Sequence, residues 1–166
     1  MNKKSVQWKE LLEETDDQLK ILRILKRPTY VMNILFSDQG IYLSKRCQKN
    51  KEMYNVWQVL GEKVELEESS VQVTIRETKE ETGLQIGKEE LTYLFNDPKF
   101  NCDVYATKLT HNQRLEHTEP EKQGPWKLFN WKEYEKMALE KSTTPTYTTY
   151  IREILKSIHD EQPSYN

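Results

Sequence analysis

The chain has 166 residues, 25 Lys and Arg against 27 Asp and Glu, and a formal net charge of −2. That is the length of one ordinary domain with room for a real core, and the near-neutral balance argues against a protein whose main task is coating duplex nucleic acid. Cys47 and Cys102 stand far apart with no CxxC or Cys/His pattern, which argues against a disulfide scaffold or a zinc site. No segment has the apolar length of a signal sequence or a membrane span, so the expected location is the cytoplasm.

The first element expected is helical: Trp8, Leu11, Leu12, Leu19, Leu22 and Leu25 recur at roughly helical intervals, and Pro28 ends the region. Residues 1–28 are read as an added helical segment, able to cover the sheet, cap a cleft or pair two subunits into a homodimer. Residues 29–166 form the main domain. Its first part, Tyr30 to Phe36, is apolar and partly β-branched, "SDQG" is turn chemistry, and Ile41 and Leu43 continue the run, which predicts a β-hairpin. "VWQVL" reads as a further short strand.

A helix is predicted from Ser69 to Thr82, with Glu68 or Ser69 capping its start and Gly83 stopping it. At about 100° per residue, Val71, Ile75, Thr78 and Thr82 form its expected sheet-facing stripe. Two strands around an "NDP" turn follow, then the polar loop "THNQRLEHTEPEKQGP", then "WKLFNWKEYEKMALE" as a strand turning into a helix, and a closing helix in "TPTYTTYIREILKSIHD". The order of helices and strands predicts a mixed α/β (α+β) domain with a largely mixed sheet.

Glu77, Glu80 and Glu81 are three and four residues apart, so they share one side of that helix and repel one another unless a cation sits between them. Clustered carboxylates are the hard oxygen ligands that Mg²⁺ or Mn²⁺ takes when it reaches phosphate-bearing substrates. On charge alone a solvated acidic face is the commoner explanation. Spacing decides between the two: E68-x7-R76-E77-x-x-E80-E81-x-G83-Leu84 resembles the Nudix box, G-x5-E-x7-R-E-U-x-E-E-x-G-U with U aliphatic. The preceding "WQVLGEKVELEES" aligns without a gap on the family's "W-x-x-P-G-G-K-x-E-x-x-E-S", and the resemblance runs from about Tyr30 to Glu140.

The resemblance implies a mixed β-sheet sandwiched between helices and a metal-dependent hydrolase of a nucleoside diphosphate linked to another group. It implies Glu77, Glu80, Glu81 and the Gly61 carbonyl as metal ligands and Glu68 with Arg76 as a bracing pair. A further acid comes from a distant loop: Glu116, Glu119 and Glu121 are available, and Glu119 is favoured. Glu81 or Glu119 would accept the proton of the attacking water. Where the box has glycine this chain has Glu62, and a positive φ there would cost about 1 kcal/mol or more.

Small MutT-like members suggest (d)NTPs or modified (d)NTPs as substrates, with ADP-ribose, dinucleoside polyphosphates, RNA 5′ ends or a non-catalytic nucleotide sensor as alternatives. Among residues outside the box, Asn33 and Asp97 could read a base edge, and Phe36 or Trp126 could stack on a base. Lys45 and Lys63 could touch phosphates.

Overall fold

The computed structural model describes residues 27–51, 54–65, 67–140 and 142–143. The helices expected in the N-terminal segment and at the C-terminal end lie outside these residues. Seven strands form the sheet: β1 (Tyr30–Ser37), β2 (Gly40–Lys45), β3 (Trp57–Gln58), β4 (Leu60–Lys63), β5 (Thr92–Asp97), β6 (Cys102–Lys108) and β7 (Lys127–Phe129). Among the described residues two α-helices flank it, α1 (Ser70–Thr82) and α2 (Trp131–Leu139), with a 3₁₀ turn at Lys88–Glu90.

The expected hairpin is β1–β2, with Ser37 opposite Gly40. The "VWQVL" strand divides in two, because Trp57 and Gln58 pair with β2 while Leu60 to Lys63 pair with the first half of β1. On its other edge β1 runs parallel to β6 along its length, Tyr30 beside Cys102 through Phe36 beside Lys108, and β5 closes that side antiparallel to β6. The sheet is therefore mixed, as expected, and β1 lies at its centre. A strand buried on both faces needs apolar residues at nearly every position, which is what "YVMNILF" supplies.

Side chains alternate across β1 and β6. Ile34, Phe36, Cys102, Val104 and Ala106 join Ile41, Leu43, Phe129 and Tyr134 in a core that α2 closes through Tyr134. Asn130 caps α2 through the Glu133 amide, and Glu133 returns the bond to the Asn130 amide. The opposite face carries Val31 with Val73 and Tyr105, and Leu35 with Leu60, Leu84, Ile86 and Leu109. This is where α1 lies.

Helix α1 begins where the sequence places its cap. Ser69 accepts from the Gln72 amide, Gln72 reaches back to the Ser69 amide, and Gly83 stops the helix at φ 71°. A side chain at Gly83 would be strained there and would also meet the Glu116 carboxylate. The buried arc, however, is rotated from the expected one. Val73, Thr74, Glu77, Thr78, Glu81 and Thr82 are buried, while Val71 and Ile75 are half-buried at its margins.

Threonines make that rotation possible. Each of Thr74, Thr78 and Thr82 donates its hydroxyl to the carbonyl four residues earlier, so three polar side chains enter the interface with their hydrogen bonds satisfied.

Candidate metal centre

Strand β4 enters the site from the edge of β1. Its alternation sends Leu60 to the helix side, where it packs in a cluster under α1, and Glu62, two residues on and opposite the helix-facing Val31, faces the same way. Glu62 is not among the residues with positive φ, so the expected backbone penalty does not arise. It pairs with Val31 in a regular antiparallel ladder. Gly61 is the position with a tight backbone approach: a Cβ there would lie 3.1 Å from the Val31 carbonyl oxygen.

Across from Glu62, the helix presents Glu77 and Glu81, each only 7% exposed. One oxygen from each of Glu62, Glu77 and Glu81 lies within 4.8 Å of the others. Glu80 is exposed instead, and its carboxylate accepts from Arg76 Nη1 at 3.0 Å. The sequence expectation grouped Glu77, Glu80 and Glu81; the structure brings the first and third together with Glu62 and leaves Glu80 at the margin.

Arg76 holds the entrance. Its Nε and Nη2 donate to the two Glu68 oxygens at 2.8 Å each, and Nη1 reaches Glu77 as well as Glu80. This pairing holds the Glu68 carboxyl below its ordinary pKa and pushes the guanidinium above its own. Arg27, which sequence reasoning did not single out, donates to the carbonyls of Glu65 and Glu68 and fixes the same loop.

Burial dominates the two inner glutamates. It raises the Glu77 pKa, assisted by the Glu62 charge and opposed by Arg76. It pushes Glu81 up to about 8, opposed by a hydrogen bond from Gln123 and reinforced by the charges of Glu119, Glu77 and Glu62. A cation among these oxygens would reverse both shifts. Oxygen-only donors, most of them carboxylates, suit a divalent ion such as Mg²⁺ or Mn²⁺, so the donor set fits such a group.

The loop from Glu116 to Trp126 completes the surroundings. Gln123 is buried, donates to Glu81 Oε2 at 3.2 Å and accepts from Gln58 Nε2 at 3.1 Å, a relay with no local sequence signal. Glu119 is half-buried and paired with Lys122 at 2.6 Å, close enough to Glu81 to act on its charge. The Glu116 carboxylate lies against Gly83, and Glu121 is exposed.

Several residues expected to meet substrate are placed elsewhere. Asn33 is fully buried, donating to Thr78 and accepting from Thr107, so both ends of its amide are taken inside the core. Asp97 accepts from the Lys99 amide at 2.9 Å within the β5–β6 turn. Trp126 packs in the Leu35–Leu60 cluster and donates its indole N–H to the Glu81 carbonyl at 3.1 Å, which holds the helix rather than offering a free face.

Phe36 is core at 4% exposure and borders a cavity of about 810 Å³ lined also by Tyr42, Lys108, His111 and Arg114. None of the three clustered glutamates lines that cavity. Lys45 has its ammonium 5.6 Å from the Trp57 ring centre, and Lys63 is exposed, donating its amide to Glu62 Oε1 at 2.8 Å. Among the described residues no helix is long and apolar enough to cross a membrane.

Comparison with known proteins follows the same outline. A NUDIX domain model matches residues 26–150. No curated protein sequence matches the chain. Among solved structures, a MutT/nudix family protein from Enterococcus faecalis is 25% identical with a TM-score of 0.51, the match covering 63% of this chain and 44% of that one. The chain thus spans less than half of that protein's length. A Deinococcus radiodurans protein matches over 77% of this chain and 83% of its own, at 17% identity and a TM-score of 0.58. An Ap4A hydrolase from C. elegans matches over 79% and 97%, at 18% identity and a TM-score of 0.57.

Proposed function

This chain belongs to the Nudix family, and on that footing we propose that it hydrolyses a nucleoside diphosphate linked to a further group in a reaction dependent on Mg²⁺ or Mn²⁺. (d)NTPs or modified (d)NTPs, cleaved to a monophosphate and pyrophosphate, are the first substrates to test. The observation that carries this reading is the pair of buried carboxylates, Glu77 and Glu81, set beside the Arg76–Glu68 clamp.

In this reading Glu77, Glu80, Glu81 and the Gly61 carbonyl hold the ion. A divalent ion bound there supplies Lewis-acid polarisation of the phosphoryl oxygens and lowers the pKa of a bound water. The chain's own residues divide the remaining work. Glu81, oriented by Gln123 through its Oε2, would accept the proton that water loses as its oxygen bonds to phosphorus, and the bridging P–O bond would break with its electron pair going to the departing pyrophosphate or nucleoside monophosphate. Glu119, tied to Lys122, stands near enough to Glu81 to influence or share that role. Arg76 keeps the helix entrance rigid while reaching Glu77 and Glu80.

Residues 29–166 act as the hydrolase domain in this proposal, with 1–28 an added segment. The fold likeness to the C. elegans Ap4A hydrolase puts dinucleoside polyphosphates in the assay panel. The test incubates the protein with Mg²⁺ or Mn²⁺ and NTPs, dNTPs, oxidised nucleotides, ADP-ribose, dinucleoside polyphosphates and capped RNA, with Glu81→Gln as control. Release of phosphate or pyrophosphate that the control lacks supports the enzyme. Tight nucleotide binding with no turnover would instead identify a sensor.

A further inference from the structure

We propose that Glu62 is itself a metal ligand, so that this chain carries an additional carboxylate at the position where the family's box has glycine. The inference rests on the metal-dependent reading of the site and deepens it. Three features of the geometry support it, none of which is the motif.

The first is orientation. Leu60 is anchored in an apolar cluster beneath α1, and Glu62, two residues on in the same strand, stands opposite Val31, which packs on Val73 of α1, so the pleat puts Glu62 on that face. Glu62 is therefore aimed at the helix by its neighbours, and its carboxylate arrives within 4.8 Å of an oxygen of Glu77 and of Glu81.

The second is what surrounds it. Among the described residues no salt bridge reaches Glu62: Arg76 is engaged by Glu68, Glu77 and Glu80, and Lys122, which feels the Glu62 charge, is bonded to Glu119. The exposed Glu62 carboxylate thus adds negative charge beside the buried Glu77, which raises the Glu77 pKa further, and an ion among the three oxygens would relieve that repulsion.

The third is preorganisation. The Lys63 amide donates to Glu62 Oε1 at 2.8 Å, which restrains the carboxylate and leaves Oε2 as a donor atom for an ion. Because the backbone of Glu62 is ordinary extended strand paired to Val31, the carboxylate costs nothing in conformation.

The experiment titrates the full chain with Mn²⁺ alone, following free Mn²⁺ by electron paramagnetic resonance and melting temperature in parallel. The variants are Glu62→Gln, Glu62→Asp and Glu62→Gly. Glutamine keeps the size and the acceptor for the Lys63 amide while removing the charge; aspartate keeps the charge while withdrawing the oxygens by one methylene; glycine restores the family's residue.

Ligation predicts that all three weaken Mn²⁺ affinity at least about tenfold and shrink the Mn²⁺-induced rise in melting temperature, while the metal-free variants melt no lower than the parent. If aspartate binds like the parent and only glutamine and glycine are weak, Glu62 acts by charge at a distance and ligation is wrong. Parent-like affinity in all three, or no Mn²⁺ binding by the parent, equally overturns it. Mn²⁺ binding that depends on Glu62 in a protein that hydrolyses nothing in the panel would leave this inference standing and remove the proposed activity.

Discussion

The two faces of β1 bury different chemistry. Toward α2 lie Ile34, Phe36, Val104, Ala106, Ile41, Leu43 and Phe129, side chains with no hydrogen bonds to satisfy. Toward α1 lie Val31, Leu35 and Val73 together with Asn33, Thr107, Thr74, Thr78, Thr82, Glu77, Glu81 and Gln123. One face stabilises by excluding water; the other spends part of that gain on holding charged and polar groups at fixed positions. The difference teaches where change is tolerated: the first face should respond to volume, the second to hydrogen bonds and charge.

The largest effect expected from the polar face is on rate. Glu81→Gln should lower hydrolysis of whichever nucleotide is turned over by about a thousandfold, the usual worth of a positioned proton acceptor, while the metal-free protein becomes no less stable. Steady-state kinetics with parallel thermal melts check this, and a destabilised variant with normal turnover would break the contrast between faces.

Next comes volume on the apolar face. Ile34→Ala should cost about 3 kcal/mol of folding stability by denaturant titration, with Mn²⁺ affinity in the surviving folded fraction unchanged.

Acidity provides a third probe. Glu81 carries a folded-state pKa of about 8, above its unfolded value, so the native state binds the proton more tightly than the unfolded chain does. The stability this group contributes to the metal-free protein should therefore be fully present below about pH 4.5 and be lost as pH rises through about 8, by about 2 kcal/mol after allowing for the coupling to Glu77. Glu81→Gln should flatten that slope, and saturating Mn²⁺ should offset it in the parent. A parent profile that rises from pH 5 to 8 and is unaffected by the substitution would contradict this electrostatic picture.

The smallest expected effect is the loss of one buried amide. Asn33→Ala leaves the Thr107 hydroxyl without its acceptor and removes the donor to Thr78, so it should cost about 1–2 kcal/mol, with substrate affinity at most slightly changed. A large loss of nucleotide affinity at unaltered stability would restore Asn33 as a base reader.

Local signals in the sequence carried well. The Ser69 cap, the Gly83 stop and the β1–β2 turn depend on residues close together in the chain, and the structure has them where the sequence puts them. The contact between Glu68 and Arg76 was also legible, because eight residues of loop and helix suffice to define it.

What sequence periodicity missed required partners far along the chain. The expected stripe of α1 held Thr78 and Thr82 but missed Glu77 and Glu81, carboxylates whose burial depends on partners such as Gln123 that only the fold brings to the helix. Glu62 looked like a strained turn, although the alternation of Leu60, Glu62 and Val64 could have shown it facing the helix once β4 was separated from β3. Gln123 has no signal at all, since only the folded loop brings it to Glu81.

The loop from Glu116 to Trp126 also serves the last turn of α1. The Glu116 amide donates to the Thr82 carbonyl, the Thr118 hydroxyl to the Glu80 carbonyl and the Trp126 indole to the Glu81 carbonyl. These are carbonyls that a helix end leaves without partners of its own. The box helix is consequently not a portable cassette. Transplanted into another scaffold with its glutamates intact, it would carry the ligands without the distant donors that aim them, so an engineer moving this centre would have to move the loop as well.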